Sequence, residues 1–131
     1  MTMDQERESL VTFRFHQADE MVKLVEFLMS ADKLGLAVTR IYYGMFYALN
    51  ALATQQGMDT SNHRKLLRWF TSEYVARGKA DPLLGKILRN AYQNMLRADH
   101  DPFVRFAPLQ VENMHAELIQ FKDEIKKLIG Q

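Results

Sequence analysis

The chain contains no cysteine and only three prolines and six glycines among its 131 residues. Without a thiol it can form no disulfide framework, thiolate zinc site, cysteine nucleophile or iron–sulfur cluster. No apolar run reaches the roughly 18 residues a membrane span needs, and the polar start from Met1 to Ser9 lacks the apolar stretch of a secretory signal. Net charge is scarce as well, with 17 Lys and Arg against 16 Asp and Glu. A soluble cytoplasmic domain with no membrane association is the expectation. A chain of this length, 47% hydrophobic, can bury a core without a metal or disulfide staple. Residues 1–131 read as one helical domain, with 1–8 as a frayed N-terminus.

The few breakers divide the sequence into long segments of helical period. Glu8 to Ser30 carries an apolar stripe through Leu10, Phe13, Ala18, Met21, Leu24, Val25 and Leu28. Asp32 follows as an N-cap, and Lys33 to Gly35 as a short joint. Leu36 to Gln56 is apolar nearly all round, which marks a central helix buried on several sides, closed by Gly57. Asp59 to Asn62 forms a polar turn ahead of a helix from His63 to Arg77, which ends at Gly78. Asp81-Pro82 caps and starts the next helix, because Asp accepts free N–H groups and Pro at the first turn sacrifices no hydrogen bond. That helix runs to about Arg97, and Leu109 to Ile129 is the cleanest amphipathic helix of the chain. With no segment of strand period, the pattern predicts an all-α fold: an antiparallel up-and-down bundle of four long helices plus one shorter helix.

Charge is unevenly distributed along the chain. Residues 63–105 hold nine Lys and Arg against four Asp and Glu, while the flanking thirds are acidic. Gathered on one face, these cations would attract phosphate; spread around the helices, they would serve solubility. His63, Arg64 and Lys65 stand together at a helix start, so His63 is either a capping or packing residue or a phosphate contact. Arg89 belongs to the same basic segment. Arg40 precedes Tyr42 and Tyr43 in the apolar helix. Buried there, it would need a phosphate or an ion pair with Asp99, Asp101 or a first-helix carboxylate. The Tyr42, Tyr43, Phe46, Tyr47 run is core by its spacing, with base stacking as the alternative.

Two further clusters carry possible chemistry. Glu112 and His115 form one Glu-x-x-His, half of the di-metal pattern found in helical bundles, without the second half such a site requires. No metal and no cofactor are therefore expected. Arg97, Asp99 and His100 place a fixed cation, a carboxylate and an imidazole where a helix ends. That set could cap the helix, or it could supply acid–base chemistry and phosphate charge stabilisation.

Ala37-Val38-Thr39-Arg40-Ile41-Tyr42-Tyr43-Gly44-Met45-Phe46-Tyr47-Ala48 resembles the Arg-Tyr-Tyr helix of small stand-alone HEPN-domain proteins. Gly57, His63 before an aromatic-containing helix with Trp69 and Phe70, Gly78, and Ala98-Asp99 follow in that family's order. The resemblance covers about residues 13–129. It implies a four- or five-helix up-and-down bundle, similar to the C-terminal domain of kanamycin nucleotidyltransferase. It further implies a homodimer of toxin–antitoxin type, partnered by a minimal nucleotidyltransferase. Active toxins of this family are metal-independent endoribonucleases whose Arg-x(4–6)-His motif promotes attack of the ribose 2′-hydroxyl on the neighbouring phosphate.

The sequence departs from that motif. Met95 stands where the Arg is expected and His100 where a Tyr is expected, and Arg97 lies two positions past the expected Arg, with only two residues between it and His100 instead of four to six. Two readings follow. In one, Arg97, Asp99 and His100 are catalytic: His100 moves the proton, Arg97 clamps phosphate and Asp99 orients His100. In the other, a non-catalytic dimer binds nucleotide or RNA through Arg40, His63, Arg64, Lys65 and Arg89, or docks a nucleotidyltransferase.

Overall fold

The computed structural model describes residues 2–58 and 60–131, and within them the chain is helical, with no strand. The elements are α1 (Met3–Ser30), α2 (Leu34–Gln55), α3 (His63–Phe70), α4 (Pro82–His100) and α5 (Pro108–Ile129). Met1, first residue of the expected frayed start, and Asp59, first residue of the expected polar turn, lie outside the described residues. Among those described, no helix is long and apolar enough to cross a membrane.

The element boundaries have local chemical causes. α1 begins at Met3 rather than Glu8, because the Thr2 hydroxyl accepts the Gln5 N–H while the Gln5 side chain accepts the Thr2 N–H. The expected frayed segment is thus helical from its third residue. Asp32 is not the cap of α2. It adopts the left-handed region at φ 58° and turns the chain out of α1, and Lys33 occupies the cap position. Gly57 follows α2 at φ 79°, a conformation that favours glycine. Asn62 caps α3 by accepting the Lys65 N–H, and Asp81 caps α4 by accepting the Leu83 N–H ahead of Pro82.

The helix expected to run from His63 to Arg77 changes character at Thr71. Residues Thr71–Val75 form one π-helical turn, in which the Ala76 N–H reaches back five residues to the Thr71 carbonyl. The Thr71 hydroxyl donates to the Leu67 carbonyl, a local bond that competes with the regular ladder. Stacking of Phe70 on Tyr74 at 5.7 Å, and of Phe70 edge-on to Phe121 at 5.9 Å, holds the widened turn against the core.

Side-chain bonds between helix ends show the directions. Thr39 at the start of α2 donates to Asp99 at the end of α4, while Gln55 at the end of α2 donates to the carbonyl of Ile129 at the end of α5. The four long helices therefore alternate up and down. α2 packs against each of the other helices, whereas α1 and α4 do not meet, so the bundle is flattened around a central α2–α5 pair. That explains why α2 buries thirteen of its residues and α1 only Ala18 and Val25. Leu10 and Phe13 of the expected α1 stripe are exposed.

The centre of the bundle is closed at Gly44. A β-carbon there would lie 2.7 Å from Leu118 Cδ1 on α5 and 3.2 Å from Met21 Cβ on α1. Absence of a side chain at this one position lets three helices approach one another.

Candidate functional site

Two regions hold the residues singled out by sequence, and they lie on different parts of α4. The first is its C-terminal end. Arg97, Asp99 and His100 are all exposed there. Arg97 and His100 stand three apart, which puts them on neighbouring positions of one helix face. Neither takes part in an ion pair or side-chain hydrogen bond with Asp99, whose Oδ1 instead accepts from Thr39 Oγ1 at 3.3 Å. Within one chain Asp99 ties α4 to α2 rather than orienting His100.

Arg40 differs from the expectation of a buried cation. Its neighbours Ile41 and Tyr42 face the core, but Arg40 itself points to solvent. No described carboxylate approaches within the 4.0 Å of an ion pair. The expected pairing with Asp99, Asp101 or α1 is therefore absent among the described residues. Up-down connectivity brings the exposed Phe27, Leu36, Phe103 and Leu109 to this same end of the bundle, Phe103 being 85% exposed.

The second region begins at His63. Its ring stacks on Phe46 with centroids 4.0 Å apart and planes 10° from parallel. His63 Nδ1 lies 2.7 Å from the hydroxyl of Tyr42, a side chain with no exposed surface. Burial pushes the Tyr42 phenol far above its usual range, so it keeps its proton. Burial also lowers the His63 pKa from its ordinary 6.5, which favours the neutral ring. A buried hydroxyl needs an acceptor, so Tyr42 donates to Nδ1, and the His63 proton resides on Nε2. Packing is the role this geometry gives to His63.

Beyond His63, α3 with its π-helical turn and α4 bound an open groove of about 480 Å³. Arg64 and Arg89 both line it, together with Arg68 and Tyr92. Lys65 is exposed on α3 but does not line the groove. Arg68 and Tyr92 are absent from the sequence-derived site residues. The four-residue step from Arg64 to Arg68 was the available signal for the first; nothing local marks Tyr92, which reaches the groove only because its ring packs on Tyr42 at 5.3 Å.

The half di-metal pattern comes apart. Glu112 is exposed, whereas His115 turns towards Glu26 of α1, with Nε2 3.5 Å from Oε1 and not aligned as a hydrogen bond. Among the described residues no group of three or more His, Asp or Glu could hold a metal ion.

No model of a protein family matches the chain. Individual proteins do. Two relatives from Methanocaldococcus jannaschii carry the name "putative toxin". One is 28% identical over 109 residues, covering 83% of this chain and 71% of the relative. The other is 24% identical over 114 residues, covering 87% and 84%. A UPF0332 protein of Thermotoga maritima is 31% identical over 124 residues, which span 95% of this chain and 94% of that protein. Near end-to-end similarity at that identity shows that the chain belongs to the UPF0332 family.

Proposed function

We propose that this protein is a toxin of HEPN type that works as a homodimer and cleaves RNA without a metal, using the end of α4. The observation that carries the reading is the free pair Arg97 and His100, one turn apart and exposed, with no side-chain partner among the described residues. His100 takes the proton from a ribose 2′-hydroxyl as that oxygen attacks the adjacent phosphorus. Arg97 offsets the charge that gathers on the phosphoryl oxygens. The bond to the 5′-oxygen breaks, the leaving oxygen takes up the proton that His100 carries, and a 2′,3′-cyclic phosphate remains. Asp99 holds the end of α4 against α2 and so acts on position rather than on protons.

The resemblance to HEPN proteins and the toxin names of two relatives support the reading. Exposed Phe27, Leu36, Phe103 and Leu109 at the same end of the bundle as the pair favour a second copy covering that end, since large apolar side chains left exposed together mark contact surfaces. Induced expression in a bacterial host tests it. Wild type should arrest growth and His100→Ala at equal expression should not. Arrest by both would reject His100 as the reacting group.

Met95 favours a second reading. It is a core residue, 5% exposed, at the position where the family motif has its Arg. On this reading the dimer is non-catalytic, and it binds nucleotide or RNA or docks a minimal nucleotidyltransferase antitoxin.

A further inference from the structure

We infer that the groove between α3 and α4 is a binding site for single-stranded RNA, which seats phosphates on Arg64, Arg68 and Arg89 and a base against Tyr92. The inference rests on the reading that the protein engages RNA, and it adds a second site, apart from Arg97 and His100.

Three arginines line this one groove: two from successive turns of α3 and one from the facing helix. Like charges gathered in this way repel, and proteins ordinarily relieve the repulsion with carboxylates. Elsewhere this chain does so, as with Arg77 and Glu73 at 3.0 Å, Lys122 and Asp19 at 2.9 Å, and Lys127 and Glu124 at 3.0 Å. Here, among the described residues, no Asp or Glu lines the groove and none of the three arginines has an ion-pair partner. An anionic ligand supplies the missing countercharge, and the planar guanidinium fork matches phosphate oxygens.

The remaining lining fits a nucleotide unit. Tyr92 is half-buried and braced from behind by Tyr42, which leaves a fixed phenol ring at the groove for stacking with any base. The π-helical turn places Thr71 and Ser72 on the wall opposite α4, where the Thr71 hydroxyl is committed to the Leu67 carbonyl and the exposed Ser72 hydroxyl is the partner for ribose or phosphate. Single π-helical turns recur at functional positions, where the extra residue re-aims the side chains around it. Gly85 leaves room beside Arg89, whose Nη1 lies 3.6 Å from where a β-carbon would stand.

A polymer suits this groove better than a free mononucleotide. Small-molecule sites bury most of their ligand, but Arg64, Arg68, Ser72, Arg89 and Gln93 are exposed along its length. The groove also has a direction. Arg89, Gln93 and Arg97 stand four apart along α4, so one stripe leads from the groove to the proposed reacting pair, about 12 Å from Arg89 to Arg97 at 1.5 Å per residue.

The test is fluorescence anisotropy with a fluorescein-labelled 2′-O-methyl oligouridine 12-mer, which lacks the attacking hydroxyl and so reports binding without cleavage. Arg68→Ala/Arg89→Ala should weaken binding at least tenfold. It should also reduce the slope of log affinity against log salt by about 1.4, two lost phosphate contacts on a single strand. Lys126→Ala/Lys127→Ala, which removes equal charge at the far end of α5, should change affinity less than twofold. Circular dichroism checks that both variants remain folded. Binding by wild type with groove variants unaffected, or with both double variants equally weakened, overturns the groove and leaves the RNA reading standing. No binding by wild type overturns both.

Discussion

The hydrogen bond between Tyr42 and His63 stabilises the fold. Tyr42→Phe keeps the buried ring and removes one hydroxyl, whose hydrogen bond at 2.7 Å is worth about 1 kcal/mol net. His63 is half-exposed, so water can reach the freed Nδ1 and no further penalty arises. His63→Ala costs more, about 2–4 kcal/mol, since it removes the ring stacked on Phe46 and also strands the buried Tyr42 hydroxyl. In the double variant no hydroxyl is stranded. Its loss should therefore fall short of the sum of the single losses by about 1 kcal/mol. Urea unfolding at pH 7.5, followed by circular dichroism, measures all four proteins. The pH dependence follows from the lowered His63 pKa. Below its ordinary 6.5 the unfolded chain takes up a proton that the folded chain resists. Stability from this residue is full above about pH 6.5 and falls as pH drops towards the folded pKa. Wild type should lose more stability than His63→Gln between pH 7.5 and 5.5. Additive losses, within about 0.3 kcal/mol, together with parallel pH profiles, would refute the hydrogen bond and the neutral, half-buried His63 ring.

Two further substitutions test the packing. Gly44→Ala sets a helix-propensity gain of about 1 kcal/mol against an overpacking cost of about 1–3 kcal/mol from Leu118 and Met21. Gly44→Val adds two more methyl groups at the same contact and should be clearly less stable than Gly44→Ala in urea unfolding. Equal stability of all three would mean that α1, α2 and α5 do not close on Gly44. Asp81→Ala removes the side-chain acceptor of the Leu83 N–H and should cost about 0.5–2 kcal/mol, read as a lower thermal midpoint, while Asp81→Asn should cost much less.

The fold was legible because the signals that set it are local. Asn62, Asp81-Pro82, Gly57 and Gly78 each act within a few residues, and α5 buries Val111, Met114, Leu118, Phe121 and Ile125 as its periodicity predicts. Errors arose where a competing local bond or tertiary packing decided the outcome. Thr2 and Gln5 lengthen α1 through a reciprocal cap, Thr71 turns a regular helix into a π-helical turn, and the flattened packing leaves Leu10 and Phe13 outside the core. Site residues were less legible for the same reason. Arg40 follows buried neighbours in sequence, yet its own face of α2 points to solvent. Arg64 and Arg89 were visible as basic residues, and the four-residue step from Arg64 marks Arg68 on the same face of α3, but Tyr92 and Arg89 join them only through the pairing of α3 with α4, which no spacing encodes.

The end of α4 is the proposed reacting centre of this protein. Purified protein incubated with a mixed RNA pool in EDTA, beside Arg97→Ala and His100→Ala, tests it most directly. The prediction is cleavage by wild type leaving 2′,3′-cyclic phosphate ends, abolished in both variants while their helical content and size in solution are unchanged. Undiminished cleavage in either variant, or none by a wild-type protein confirmed as a dimer, would contradict it.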